Sequence, residues 1–152
     1  MGCGAVILAD TTVVIDILRG RDETRQLLER FLDEPMCISG ITIKELHVGL
    51  GYTRVKMNGA VYEEKRRDVL KLIEDFHVIE VSNEILEKAG EKEGELLVKG
   101  KTFELEDIIV GVSAEDIKAS HIITRNADHF TPFSVPVESY QITTKSRPGS
   151  KN

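Results

Sequence analysis

The chain has 152 residues, 41% of them hydrophobic, which is the length and apolar content of one domain with one substantial core; two domains are not expected. Twenty Lys and Arg against 26 Asp and Glu give a net charge of −6, which excludes a protein that holds nucleic acid by bulk positive charge. Lys145, Arg147 and Lys151 all fall in the final segment, 145–152, so residues 1–144 are more acidic than the total suggests.

Short apolar runs alternate with longer stretches of helical period, the pattern of an α/β domain with a largely parallel sheet. The first run, residues 5–9 (AVILA), predicts a strand. Asp10 and Asp16 stop it short of a signal peptide or a membrane span, so a soluble, cytoplasmic protein with no membrane contact is expected. The opening Met1-Gly2-Cys3-Gly4 fails as a myristoylation signal, because Val6 stands where Ser or Thr is required. Helices over 12–18 and 23–32 come next, then a strand at 36–39, helices at 41–51 and 60–75, and a strand at 77–81. Ser82 is placed to cap a helix over 83–98, which is followed by a helix over 106–119 and a strand at 121–124. Pro132 and Pro136 mark a loop into the last strand, 137–140. The domain is assigned to residues 1–144, and the basic tail 145–152 is expected to be disordered. Cys3 and Cys37 are far apart and in no CxxC spacing, which indicates neither a disulfide framework nor a zinc site; a small buried apolar role suits them.

In open α/β sheets the ligand site lies beyond the carboxyl ends of the strands, so polar residues that close an apolar strand come first. Asp10 ends the first run, and an N-cap for the next helix is the competing explanation. Glu45 shares a helical face with Ile41, Val48 and Tyr52, while Ile43, Leu46 and Leu50 form the opposite one. A carboxylate on a helix that is apolar on two sides needs a cation, a metal or a cleft; a salt bridge to a nearby Lys or Arg would satisfy it equally. Asp107 begins a nearly continuous apolar helix, with the small Gly111 and Ala114 on its own face leaving room beside it. Together with Glu106 it would also complement the helix dipole. Asp116 lies on the far side of that helix and is read as structural or exposed. After the fourth strand, Asn126 and Asp128 stand where side chains reach into a cleft, or where Asx turns form. His121 and His129 are read as structural or surface residues, having no second His at metal spacing.

Two other phosphate chemistries fail on the residues. Gly94 to Gly100, followed by Lys101 and Thr102, resembles a P-loop but has one residue too many between the glycines and follows a helix rather than a strand. A haloacid-type phosphatase needs an Asp two residues after Asp10, and position 12 is Thr.

The segments LADTTVVIDILRG, ITIKELHVGL, GKTFELEDIIVGVSA and IITRNADHF resemble, in order and spacing, the motifs of PIN-domain ribonucleases, especially the VapC toxins of toxin–antitoxin pairs. The resemblance runs from about Val6 to Tyr140 and includes Gly100 ahead of Asp107. It implies a central parallel five-stranded sheet flanked by helices, and one or two Mg2+ or Mn2+ ions held by a cluster of acids. Asp10, Glu45 and Asp107 match the three constant acids, with Asp128 as the fourth catalytic and metal-binding position. Asn126 stands where relatives often have Asp and cannot supply a charged ligand. Thr12 and Thr124 match hydroxyl positions that would steady the ligands. Lys44, Arg125, Arg19 and Arg21 lie near these motifs, as phosphate contacts or as solvated surface.

The implied reaction is metal-dependent hydrolysis of RNA phosphodiesters, leaving 5′-phosphate and 3′-hydroxyl ends. A homodimer and a small VapB-like antitoxin are the implied partners. The competing function is a non-catalytic PIN-fold module that binds RNA or protein through a degenerate metal site. An oxygen-only donor set suits hard divalent cations. Two such ions would neutralise the four acids, so the negative charge of the chain no longer argues against RNA.

Overall fold

The computed structural model describes residues 5–143; the tail 145–152 and Cys3 lie outside the described residues. Five short strands form one parallel sheet: β1 (Ile7–Ala9), β2 (Met36–Ser39), β3 (His77–Ile79), β4 (His121–Thr124) and β5 (Val137–Ser139). Their order is β3-β2-β1-β4-β5. Six helices join them: α1 (Thr11–Leu18), α2 (Asp22–Glu29), α3 (Gly40–Lys56), α4 (Gly59–Glu74), α5 (Asn83–Val98) and α6 (Leu105–Asp116).

The three central strands, β1, β2 and β4, are buried on both faces, and the two-residue period of a strand divides them between two core layers. Ile7 and Ala9 of β1, Ile38 of β2 and Ile123 of β4 pack with Val13 and Val14 of α1, Leu46 and Leu50 of α3 and Val69 of α4. Leu8, Cys37 and Ile122 point the other way, onto Ile85 and Ala89 of α5 and the apolar run Ile108, Ile109, Val110 and Val112 of α6. The sheet is therefore covered by α1–α4 on one face and by α5 and α6 on the other. Cys37 takes the buried apolar role expected of it. No helix among the described residues is long and apolar enough to cross a membrane.

Element boundaries differ from the periodicity at identifiable places. The α3 helix runs on to Lys56 through Gly49 and Gly51, because Leu46, Leu50 and Thr53 continue its buried side. The Val48 and Tyr52 side is exposed instead, so α3 is buried on one side only. Ser39 caps α3 and Asn58 caps α4 by accepting from the Ile41 and Val61 N–H groups, and Ser82 caps α5 from Ile85 as its spacing predicts. The α6 helix stops at Asp116 rather than 119, and Lys118 follows with φ of 53°. Gly100, with φ of 73°, makes the turn out of α5, a conformation that glycine adopts without steric cost.

From the central strand β1 the chain goes one way to β2 and β3, then returns across it to β4 and β5. The reversal opens a crevice between the carboxyl ends of β1 and β4, where Asp10 and Thr124 stand.

Candidate active site

Asp10 occupies the N-cap position of α1, yet its carboxylate caps nothing. Its backbone carbonyl accepts from the Val13 N–H at 3.0 Å. The carboxylate turns aside: its Oδ2 accepts from Thr124 Oγ1 at 2.8 Å and from Thr12 Oγ1 at 3.1 Å. Asp10 is only 4% exposed, and the two hydroxyls satisfy one oxygen of a carboxylate aimed at the crevice rather than at the helix. Thr12 and Thr124 thus both hold the Asp10 carboxylate.

Glu45 stands on α3, half-buried, and accepts a 2.8 Å hydrogen bond from Thr11 Oγ1, which is itself 2.9 Å from Thr42 Oγ1. The salt bridge that would have explained it is absent among the described residues, since the neighbouring Lys44 pairs with Glu106 at 3.1 Å. Burial pushes the Glu45 carboxyl above its ordinary range. The charges of Glu106, Asp10 and Asp107 push it further, against the pull of the Thr11 hydrogen bond.

Asp107 lies in the first turn of α6. Burial and the Asp10 charge, followed by Glu104, raise its carboxyl, while His129 opposes them. The His129 Nδ1 lies 2.8 Å from Asp107 Oδ2. His129, read as a structural or surface histidine, is exposed and touches one of the grouped acids. The space expected beside Asp107 at Gly111 is filled: a Cβ there would meet the Phe133 ring at 2.4 Å. Gly111 serves packing against Phe133, not ligand access.

At one end of the sheet Asp10, at the close of β1, thus bears on Glu45 of α3 and Asp107 of α6, and its charge raises the cost of ionising both. Asp128 does not join them. It is exposed in the single 3-10 turn Ala127–Phe130, and its carboxylate makes no hydrogen bond or ion pair among the described residues. Asn126 is also exposed, and its backbone N–H donates to Thr124 Oγ1 at 3.0 Å. As the side chains are oriented, no three His, Cys, Asp or Glu residues among those described surround one ion position. Each grouped acid is instead tethered to its own donor: Thr12 and Thr124, Thr11, or His129.

Of the basic residues near the motifs, Lys44 faces Glu106, and Arg125 places Nε 2.6 Å from Oδ2 of Asp16. The backbone hydrogen bond and Lys44 hold Glu106 below the ordinary carboxylate range, so it adds a fixed negative charge beside Glu45. Asp116, as expected, serves elsewhere, paired with Lys88. A cleft of about 700 Å³ opens beside Glu45, lined by the apolar Leu18, Leu46 and Leu50 and by the basic Arg19, Arg21 and Lys65. Sequence reasoning passed over Thr11, Thr42, Glu104 and Asp16. Asp16 alone left a visible signal, as an acid inside the otherwise apolar helix TTVVIDIL.

The family profile for the PIN domain matches residues 7–132. Among solved structures, the fold is similar to VapBC2 from Rickettsia felis bound to a promoter DNA fragment, with a TM-score of 0.75 at 19% identity, over 90% of this chain and 99% of that one. A toxin–antitoxin complex from Klebsiella pneumoniae matches with a TM-score of 0.67 at 29% identity, over 90% and 99%. FitAcB from Neisseria gonorrhoeae matches with a TM-score of 0.73 at 20% identity, over 86% and 95%. No curated protein sequence matches significantly. The profile spans most of the chain, and the chain belongs to the PIN-domain family.

Proposed function

We propose that the protein is a divalent-metal-dependent ribonuclease, a VapC-type toxin that hydrolyses RNA phosphodiester bonds to 5′-phosphate and 3′-hydroxyl ends. The observation that carries this reading is the grouping of Asp10, Glu45 and Asp107 at the crevice between β1 and β4, where the Asp10 charge raises the carboxyls of the other two and none of the three forms an ion pair with Lys or Arg among the described residues. Such a group is stabilised by a hard cation, and its oxygen-only donor set suits Mg2+ or Mn2+. Asp10, Glu45 and Asp107 would hold one or two such ions, with Asp128 and the amide of Asn126 completing the site from the turn after β4. When bound, the metal supplies Lewis-acid activation of water and charge stabilisation at phosphorus.

The chain's own residues do the rest. Thr12 and Thr124 fix the rotamer of Asp10, Thr11 that of Glu45, and His129 that of Asp107, so the ligand oxygens are oriented by their neighbours. Lys44 flanks the site as a candidate phosphate contact that already pairs with Glu106, while Arg125 beside it is held by Asp16. A VapB-like antitoxin and a second copy of the chain are the proposed partners. The VapBC and FitAcB neighbours support the first, as does the apolar and basic cleft beside Glu45. The proposed location is the cytoplasm.

Calorimetric titration tests the metal reading: Mn2+ binds the wild-type protein and binds Asp10→Asn at least about tenfold more weakly. Equal binding by both proteins would remove the proposed centre. The second reading, a non-catalytic PIN-fold module, rests on Asn126. It gains if Mn2+ binds while RNA stays intact.

A further inference from the structure

Asp16 is 1% exposed, on α1, six residues past Asp10. A buried carboxylate must keep its partners, because an unpaired one is strongly destabilising. Its partners come from two other elements. Arg125, the first residue after β4, sets Nε 2.6 Å from Asp16 Oδ2, and Tyr140, just past β5, donates its hydroxyl to the same oxygen at 2.8 Å. Burial, reinforced by the Asp16 charge, pushes the Tyr140 phenol up, which keeps it a donor.

Arg125 is tied to α1 twice. Its backbone N–H donates to Thr12 Oγ1 at 3.2 Å, and its side chain pairs with Asp16. Thr12 in turn donates to Asp10, as does Thr124, the residue before Arg125. The two hydroxyls that orient Asp10 thus belong to α1 and β4, and the distance between those elements decides whether both reach Oδ2. The β1–β4 ladder ends at the hydrogen bond from the Asp10 N–H to the Ile123 carbonyl. Beyond it, besides the threonine hydroxyls, Arg125 ties the β4 exit to α1 through both its backbone N–H and its side chain. The pairing uses Nε, the guanidinium nitrogen nearest the backbone, with its N–H off the line of contact, so the pair acts as a short charged tether that a low-dielectric setting screens little.

We propose that Asp16, Arg125 and Tyr140 form a positioning cluster that sets the spacing of α1 and the β4 exit, and through Thr12 and Thr124 presents the Asp10 carboxylate to a divalent cation. This rests on the metal reading above. Arg125 is accordingly a positioning residue, committed to Asp16 rather than to RNA.

The test compares wild type with Arg125→Lys, which keeps the positive charge but places it one bond farther from the backbone. Two quantities are read without RNA: the Mn2+ dissociation constant, and the amide NMR shifts of Asp10, Thr12 and Thr124 in metal-free protein. The expected result is a folded variant with Mn2+ binding weakened about tenfold and displaced amide signals at all three positions. A folded variant with wild-type affinity and undisplaced signals overturns the proposal. If Arg125→Lys does not fold, Tyr140→Phe removes only one hydroxyl, and a loss of affinity of about threefold is expected; wild-type affinity in that variant overturns the proposal equally. Absence of Mn2+ binding by the wild type itself brings down the metal reading and this inference with it. Binding by the wild type with unaffected variants brings down this inference alone.

Discussion

Thr124 Oγ1 donates a 2.8 Å hydrogen bond to Asp10 Oδ2, joining the carboxyl ends of β4 and β1 across 114 positions of sequence. Both residues are buried, so neither has water to replace the other. Thr124→Val keeps the side-chain shape and removes the donor. It is expected to lower stability by about 1–3 kcal/mol, since a buried acceptor loses a partner, and to weaken Mn2+ binding. Thr124→Ser is expected to restore both. Chemical denaturation with and without Mn2+ measures the two effects.

Glu45 and Asp107 carry raised carboxyl pKa values, burial being the first cause in each. The folded metal-free protein therefore holds more protons than the unfolded chain between the ordinary carboxylate range, near about 4, and the raised values. The stability these groups contribute is complete below that range and declines as pH rises through the raised values. Glu45→Gln keeps an acceptor for Thr11 and removes the charge. In chelator at neutral pH its melting midpoint should exceed that of wild type by a few degrees, and the difference should vanish in acid. A lower midpoint at neutral pH would contradict this assignment.

In the proposed centre Asn126 would stand uncharged beside Asp128, while its structural duty is a backbone N–H bond to Thr124 that any residue but proline can make. Asn126→Asp adds a carboxylate without disturbing that bond. Since ligand charge tunes divalent affinity, Mn2+ binding should tighten by about tenfold. An unchanged isotherm would place position 126 outside the centre.

A Cβ at Gly111 would fall 2.4 Å from Phe133, inside the core between α6 and the loop before β5. Gly111→Ala should therefore destabilise by about 1–3 kcal/mol, the range of overpacking, by thermal melting. Pairing it with Phe133→Leu should recover part of the loss.

That Asp10, Glu45 and Asp107 stand apart was legible because each closes an apolar strand or sits on a largely apolar helix, and burying a charge there demands a reason; Asp128, exposed in its turn, gave no such signal. The five strands and six helices were legible for the same cause, since the period of two or of 3.6 is set by which side is buried. What the sequence could not carry was partnership across distance. Asp16 finds Arg125 and Tyr140 more than a hundred positions away, His129 finds Asp107 only once the turn after β4 folds back on α6, and Phe133 fills the place beside Gly111 from another loop. Helix ends were missed where caps decided them. Asn58 and Ser39 start α4 and α3 earlier than periodicity alone suggests, and the buried side of α3 carries it past two glycines.

The most direct test of the central claim is cleavage of a broad panel of end-labelled RNAs by the purified protein, freed of any bound partner, in Mg2+ or Mn2+ and in chelator. Cleavage that requires the metal, leaves 5′-phosphate and 3′-hydroxyl ends and disappears in Asp10→Asn is the result predicted. RNA left intact under every metal condition, by a wild-type protein that is folded, would contradict it.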